Sequence, residues 1–153
     1  KTAVLFAAGT RLGALASGQD EATQQALYDY GMHLGYAFQI ADDVLDYSAN
    51  AEELGKNLGD DLAEGKATLP LIHAMAHSDP ATRERLRSIV QDGDASAMPE
   101  VLAAIRATGG LDYSRRRAEE YAEAAERALD GLGDNDAVAA LRGLARYAVQ
   151  RSH

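Results

Sequence analysis

Apolar residues recur every three or four positions along most of the chain, which is the spacing of one face of an α-helix. The clearest such stretch runs from Gly31 to Tyr47 and contains no proline. Turned at about 100° per residue, it is apolar around most of its circumference. The remaining positions form a narrow polar stripe of Gly35, Gln39, Asp42, Asp43 and Asp46. Because burying a carboxylate without a counter-charge is costly, the stripe predicts a positive partner.

Capping residues, glycines and prolines divide the rest of the chain into further helices. Thr68, for example, is predicted to cap a helix that has Pro70 in its first turn. The predicted helices cover residues 1–16, 21–47, 69–77, 81–91, 99–108, 111–132 and 135–151. Gly9 and Gly13 are four residues apart, so we expect them to let a neighbouring helix approach closely. Residues 51–66 lack helical periodicity and contain three glycines, which indicates a structured loop. No stretch sustains the alternation of a β-strand, so the sequence predicts an all-α fold.

Composition narrows the classes of protein that remain. A length of 153 residues suffices for one domain with a core, and we expect residues 1–153 to form a single all-α unit. The net charge of −9 argues against non-specific binding to nucleic acid or anionic membranes. The absence of cysteine excludes disulfides and thiolate metal sites. No apolar run reaches the roughly 18 residues of a transmembrane helix and no signal peptide is evident, so we expect a cytoplasmic protein.

The three carboxylates of the stripe suit a hard cation. Asp42, Asp43 and Asp46 occupy positions i, i+1 and i+4 of the predicted helix, within about one turn of each other. Magnesium prefers such oxygen ligands, keeps several waters and is commonly shared with substrate phosphates. A trio of this kind on an ordinary amphipathic helix seldom binds metal. Its confinement to a narrow stripe favours a metal site here.

Lysine is scarce and unevenly placed. Arginine supplies 12 of the 15 basic residues, and the three lysines are Lys1, Lys56 and Lys66. A preference for arginine codons would explain the number but not the positions. Lys56 and Lys66 each follow a glycine and flank the acidic pair Asp60-Asp61, and lysine suits phosphate as a compact, flexible charge. Taken alone, this loop is better interpreted as exposed with incidental ion pairs; beside the aspartate stripe, a polyphosphate site is favoured.

Two segments resemble a known family. Gln39-Ile40-Ala41-Asp42-Asp43-Val44-Leu45-Asp46-Tyr47, followed by the segment from Leu54 to Pro70, resembles the second aspartate-rich region of the trans-isoprenyl diphosphate synthases, or polyprenyl synthetases. Lys1-Thr2-Ala3-x-Leu5-Phe6 is similar to the Lys-Thr helix of that family, and Tyr30-Gly31-x-x-Leu34-Gly35 also fits. The resemblance is strong from Lys1 to His73 and weaker beyond it, where it leans toward long-chain members.

The resemblance implies the C-terminal half of a helical fold around a large central cavity, and a prenyl transfer. In the family, two aspartate-rich motifs hold three Mg²⁺ ions, with Mn²⁺ as a possible substitute, on the diphosphate of an allylic substrate. Ionisation gives an allylic cation, which the double bond of isopentenyl diphosphate attacks before a proton is lost. By position, Asp42 is the principal metal ligand, supported by Asp43 and Asp46. Thr2 and Gln39 match positions whose oxygens face the developing cation.

The resemblance also assigns the basic residues. Lys1, Lys56 and Lys66 match lysines that bind the allylic diphosphate, with Lys1 also beside the reacting centre, and Asp61 matches the supporting loop aspartate. A homodimer is implied by the family alone. This chain contains one Asp-Asp-x-x-Asp motif, whereas the first motif of the family lies upstream of the Lys-Thr pair. Because the chain also opens in what reads as mid-helix, we expect an upstream half to be absent and the chain to be inactive alone.

Other interpretations fit less of the sequence. A non-catalytic helical subunit, regulatory or specificity-determining, of a heteromeric prenyl synthase is the alternative from a different class. Class I terpene cyclases usually carry an Asn/Ser/Glu-type second metal motif, so chain elongation is favoured over cyclisation. His73 and His77 have no nearby third ligand for zinc. Arg115-Arg116-Arg117 precedes an acidic run, which is typical of a solvated helix face.

Overall fold

The computed structural model describes residues 2–48 and 60–150, and these are helical over most of their length with no β-strand. Eight α-helices follow one another in this part of the chain: α1 Thr2–Ala16, α2 Glu21–Leu45, α3 Asp60–Ala63, α4 Leu69–His77, α5 Pro80–Asp92, α6 Met98–Thr108, α7 Gly110–Ala128 and α8 Asp136–Gln150. Two short 3₁₀ helices, Ala95–Ala97 and Asp130–Leu132, precede α6 and α8. The prediction of an all-α fold is confirmed.

Local capping explains where several helices begin and end. Asp20 accepts a hydrogen bond from the Thr23 amide at 2.9 Å at the start of α2. Asp79 accepts from the amides at the start of α5, whose first residue is Pro80. Gly93, with φ of 61°, ends α5 in the left-handed conformation that glycine adopts without strain. These signals are local in sequence, which is why the predicted bounds of these helices lie close to the observed ones.

Three predicted elements differ from the structure. The helix predicted over residues 111–132 ends at Ala128 and is followed by the 3₁₀ helix Asp130–Leu132, because the Leu129 amide donates to the Glu126 carbonyl at 3.1 Å, a bond across three residues. Helix α2 ends at Leu45 instead of Tyr47, because the chain tightens there: the Tyr47 amide donates to the Val44 carbonyl at 3.2 Å, a bond across three residues. The segment expected as a loop contains α3 near its end, and residues 49–59 lie outside the described part of the chain.

The helices group into two compact units. One comprises Lys1–Ala41 and Arg116–His153, and the other comprises Asp42–Arg115. We refer to them as unit 1 and unit 2. The expectation that residues 1–153 make one unit of a larger domain stays a prediction.

Unit 1 is held together where α1 and α2 cross. A Cβ atom added to Gly31 would lie 2.6 Å from the Cα of Ala7, and one added to Gly35 would lie 2.4 Å from the Cα of Ala3. The prediction that Gly9 and Gly13 provide the close approach was wrong, since no described atom lies within 4 Å of the corresponding positions. The buried core of this unit consists of Tyr30, Leu34, Ala125, Leu129, Val138, Ala145 and Ala148.

Unit 2 has its own apolar core, in which α4 packs against α5 and α6. The buried residues are Tyr47, Leu62, Leu71, Ala74, Leu86, Ile89, Ala97, Met98, Val101 and Ile105. Arg83 closes the C-terminal end of α4, because its Nε donates to the Met75 carbonyl at 2.8 Å and its Nη2 to the Ser78 carbonyl at 3.2 Å. Among the described helices, none combines the length and the apolar character needed to cross a membrane.

Candidate functional site

The aspartate-rich segment lies at the C-terminal end of α2. Asp42 and Asp43 are half-buried on its last turns. Asp46 follows the last helical residue and is only 3% exposed, although its amide still donates to the Asp42 carbonyl at 3.2 Å. The three carboxylates therefore differ in environment: Asp42 and Asp43 stay partly accessible, and Asp46 is buried.

Asp43 contacts the start of the next long helix. Its Oδ2 accepts a hydrogen bond from the Leu69 amide, the first of α4, at 3.4 Å. Thr68 occupies the N-cap position of α4, as predicted, but makes no capping bond with its own side chain. Its hydroxyl donates instead to the Tyr47 hydroxyl at 2.9 Å. The aspartate-rich segment is therefore joined to the start of α4 by two side-chain contacts.

The Thr68–Tyr47 hydrogen bond lies in the interior of unit 2. Thr68 is 5% exposed and Tyr47 is 3% exposed. Burial raises the pKa of Tyr47 to about 12, and the negative charge of Asp46 acts in the same direction. Tyr47 is consequently a neutral hydroxyl at physiological pH, fixed by its neighbour directly after the aspartate-rich motif.

A glycine shapes the turn between α3 and Lys66. Helix α3 ends at Ala63, and the turn that follows contains Gly65 at φ of 69°. The Gly65 amide donates to the Leu62 carbonyl, and the Lys66 amide donates to the Asp61 carbonyl, both at 2.9 Å. This pair of bonds is the Schellman pattern, which requires a left-handed residue. It returns the chain over α3 and places Lys66 beside Asp61.

Lys66 is paired with two carboxylates. Its Nζ lies 2.9 Å from Asp61 Oδ1 and 2.7 Å from Glu64 Oε2. Hydrogen bonds to Glu64 and then to Asp61 raise the pKa of Lys66 above its ordinary value. The lysine side chain is 54% exposed, so solvent weakens these pairs and an incoming anion can compete for the ammonium group.

Unit 1 brings together two of the predicted residues. The Thr2 hydroxyl donates to Gln39 Oε1 at 3.0 Å, which links the start of α1 to α2. Both side chains carry the oxygen atoms that the sequence comparison with the family singled out. Lys1 and Lys56 lie outside the described residues. The roles of all four residues stay predictions.

The donor set fits a hard divalent cation that is shared with a ligand. Asp42 and Asp43 offer carboxylate oxygens, the ligand type that such cations prefer. Across residues 2–48 and 60–150, however, no three His, Asp or Glu side chains converge closely enough to hold an ion by themselves. A cation held by Asp42 and Asp43 would therefore need further ligands besides these two carboxylates. His73 Nε2 lies 3.2 Å from the Thr108 carbonyl oxygen.

Sequence reasoning missed the contributions of Tyr47 and Thr68. The sequence places Tyr47 at the end of a mostly apolar helical stretch and Thr68 at the cap of a later helix, which gives no sign of a contact between them. The available signal was that a buried tyrosine hydroxyl usually has a hydrogen-bond partner. Its partner was not readable, because Tyr47 and Thr68 are 21 residues apart and meet only in the folded chain.

Comparison with known proteins identifies the family. The sequence model of the family described as Polyprenyl synthetase matches residues 1–107. Octaprenyl diphosphate synthase from Escherichia coli strain K12 is 47% identical over 152 residues, which cover 99% of this chain and 47% of that protein. Heptaprenyl diphosphate synthase component 2 from Geobacillus stearothermophilus is 39% identical over 153 residues, 100% of this chain and 47% of that protein.

A solved structure agrees with these sequences. A polyprenyl synthase from Caulobacter crescentus CB15, complexed with calcium and isoprenyl diphosphate, has a TM-score of 0.87 and 43% identity over 97% of this chain and 46% of that one. The chain belongs to the polyprenyl synthetase family, as its sequence predicts. It spans about half the length of the curated relatives that it matches.

Proposed function

We propose that this chain contributes the allylic diphosphate site of a trans-polyprenyl diphosphate synthase. The observation that carries the proposal is the connection between the two predicted diphosphate-binding segments in unit 2. Asp43 contacts the Leu69 amide at 3.4 Å, three residues after Lys66, and Tyr47 is bonded to Thr68. The aspartate-rich motif is thereby joined to the start of α4, which follows Lys66 closely in the sequence.

Each group has a defined task in the proposed reaction. A divalent cation, expected to be Mg²⁺, would neutralise the diphosphate as it leaves. Asp42 would be its principal ligand from this chain. Lys66 would bind a diphosphate oxygen after exchanging one of its carboxylate partners, and Lys1 and Lys56 would add charge to the same anion. The crystallised relative that holds calcium and isoprenyl diphosphate supports a divalent cation at such a site.

The chemistry of the synthase is a carbon–carbon bond formation. The allylic C–O bond breaks, and the diphosphate departs with the electron pair. The double bond of isopentenyl diphosphate then attacks the allylic cation, and the new cation loses a proton to the departed diphosphate, which leaves a double bond in the product. The oxygens of Thr2 and Gln39, held 3.0 Å apart, would face the cation and stabilise it electrostatically.

A chimera tests this function. The aligned region of the Escherichia coli octaprenyl diphosphate synthase is replaced by this chain, which is possible because the two align over 152 residues at 47% identity. We expect the chimera to elongate an allylic diphosphate with isopentenyl diphosphate in the presence of Mg²⁺. Asp42→Ala in the chimera should lower turnover by orders of magnitude without loss of helical content. A folded Asp42→Ala chimera with unchanged turnover would refute the metal assignment.

We expect the isolated 153-residue chain to be inactive. It carries one of the two aspartate-rich motifs that the family uses, so half of the metal and diphosphate ligands would come from elsewhere. Elongation by the purified chain alone would contradict this expectation. A homodimer and a cytoplasmic location also remain predictions.

A second candidate follows from one relative. Heptaprenyl diphosphate synthase component 2 is named as a component, which favours a synthase built from more than one polypeptide. In that case this chain would be a helical subunit that acts only with a partner. Native mass measurement in the source organism separates the two candidates: a polypeptide near 16.3 kDa that co-purifies with a second protein supports the subunit, and a protein about twice that size supports the synthase.

A further inference from the structure

The start of α4 presents a capping problem that a distant residue solves. The first amides of a helix have no partner within the helix, and the side chain of the N-cap residue usually supplies one. Thr68 occupies that position with extended backbone angles, φ of −80° and ψ of 162°, yet its side chain makes no cap. Asp43 supplies the acceptor instead, through Oδ2 at 3.4 Å from the Leu69 amide.

The Thr68 hydroxyl has a different role. By donating to the Tyr47 hydroxyl at 2.9 Å, it holds the residue that directly follows Asp46. Both partners are almost completely buried, so water cannot replace either one when the other is removed. The contact therefore fixes the turn after α2, on which Asp46 lies.

Helix α4 is a suitable anchor for these contacts. Its C-terminal end is held by Arg83, which donates to the Met75, Ala76 and Ser78 carbonyls. Leu71 and Ala74 are fully buried in the core of unit 2. A helix fixed at its end and along one face gives Asp43 and Tyr47 a rigid reference, which a surface loop would not provide.

We propose that Asp43 and Thr68 are positioning residues of the aspartate-rich motif. Asp43 acts through its contact with the start of α4, and Thr68 acts through its hydrogen bond to Tyr47. Asp42 is then the carboxylate of the motif that binds the diphosphate-bound cation. The inference rests on the proposed function of this site. It assigns Asp43 a task that needs a hydrogen-bond acceptor and not a negative charge, which separates it from Asp42.

Equilibrium dialysis of ³²P-labelled inorganic diphosphate against the whole chain, with Mg²⁺ or with EDTA, tests the proposal. Wild type should bind diphosphate only with Mg²⁺. Asp43→Asn keeps an acceptor oxygen and should bind within about threefold of wild type, whereas Asp43→Ala should bind about tenfold more weakly. Asp42→Asn removes the proposed metal ligand and should weaken diphosphate binding at least tenfold.

Thr68 has a matched pair of variants. Thr68→Val removes the hydroxyl at nearly constant volume and should weaken diphosphate binding about fivefold, while Thr68→Ser should restore it. Thr108→Val is the control within unit 2, because the Thr108 hydroxyl is hydrogen-bonded to the Ala104 and Ile105 carbonyls of its own helix. It should leave binding unchanged. Asp112→Asn controls for the loss of one negative charge.

The outcomes separate the two proposals. If Asp43→Asn binds as weakly as Asp43→Ala, Asp43 is a metal ligand and the positioning role is overturned, while the proposed function stands. If Thr68→Val binds like wild type, or if Thr108→Val weakens binding equally, the role of Thr68 is overturned. If wild type binds no diphosphate with Mg²⁺, both the proposed site and this inference fail.

Discussion

Two glycines of α2 determine how closely α1 lies against it. The positions that a Cβ would occupy at Gly31 and Gly35 are already taken by the backbone of Ala7 and Ala3. Backbone atoms cannot rotate away as a side chain can, so an added methyl group must push the two helices apart. The spacing of four residues places both glycines on the same face of α2.

The first prediction concerns this contact. Gly35→Ala should lower the free energy of unfolding by about 1–3 kcal/mol, because it overpacks a tight helix crossing. Gly13→Ala is the control: that position is helical and exposed with open space around it, so alanine should stabilise the protein by about 0.5–1 kcal/mol. Urea titration followed by circular dichroism at 222 nm measures both. Equal effects of the same sign would contradict the packing seen between α1 and α2.

The second prediction concerns Tyr30. Its ring is fully buried, its hydroxyl donates to the Leu141 carbonyl at 2.8 Å, and burial raises its pKa to about 12 from 10.0. Above pH 10 the unfolded chain loses this proton and the folded chain keeps it. Stability should therefore be complete below pH 10 and fall between pH 10 and 12, by up to about 3 kcal/mol for a shift of this size.

Two phenylalanine variants check the assignment. Tyr30→Phe should be less stable than wild type at pH 7, since the Leu141 carbonyl loses its donor, but its stability should fall less steeply between pH 10 and 12. Tyr147→Phe removes the hydroxyl of a residue that is 60% exposed and should keep the wild-type slope. An unchanged slope in Tyr30→Phe would show that other groups cause the alkaline loss.

At the scale of helices, the start of α5 depends on one exposed carboxylate. Asp79 accepts hydrogen bonds from the Ala81 and Thr82 amides and from the Thr82 hydroxyl. The hydrogen bond to Thr82 lowers the pKa of Asp79 below 3.8. Pro80 favours the helical backbone at the first position, so Asp79 and Pro80 together define where α5 begins.

The third prediction follows from that pKa. Because the folded state binds the proton more weakly than the unfolded state, the contribution of Asp79 is present above pH 3.8 and is lost as the pH falls through the lower folded value. Asp79→Ala should lower the melting temperature at pH 7 and differ less from wild type near pH 2. Asp79→Asn retains an acceptor, so its melting temperature at pH 7 should lie between those of Asp79→Ala and wild type. A difference between Asp79→Ala and wild type that does not change with pH would contradict the charged cap.

Local signals predicted the helices, but not the contacts between their ends. Prolines, N-caps and glycines act within a few residues, so α5 and α6 were readable from sequence. Thr68 shows the limit of such rules: it was correctly placed at a helix start, yet a buried tyrosine competes for its hydroxyl. The acceptor for the first amide of α4, that of Leu69, comes from Asp43, which lies 26 residues earlier in the chain. A pattern in sequence does not contain that choice between partners.

In the candidate site, too, local features were predicted from the sequence and long-range packing was not. The motif predicted that Asp42, Asp43 and Asp46 belong together. The sequence places Asp61 and Lys66 five residues apart in one segment, and the structure shows an ion pair between them at 2.9 Å. The burial of Asp46, which is 3% exposed, was not predicted, because burial depends on packing that forms only in the folded chain.

At the scale of the whole molecule, the net charge of −9 affects any metal titration. Every added salt screens repulsion among the carboxylates and stabilises the fold to some extent. A specific effect of Mg²⁺ must therefore exceed that of NaCl at equal ionic strength. In the described residues the protein alone offers no three-carboxylate site, so the specific effect should depend on diphosphate as a second ligand.

The fourth prediction separates the general effect of salt from the specific effect of Mg²⁺ with diphosphate. Mg²⁺ alone should shift the melting temperature little more than NaCl at matched ionic strength. Mg²⁺ with inorganic diphosphate should raise it further, because a ligand that binds only the folded chain adds about 1.4 kcal/mol at tenfold excess over its Kd. Asp42→Asn should abolish the extra shift and keep the salt response, since it removes one charge of many. An equal extra shift in Asp42→Asn would place the diphosphate elsewhere on the chain, and a full shift with Mg²⁺ alone would mean that the carboxylates hold the ion without diphosphate.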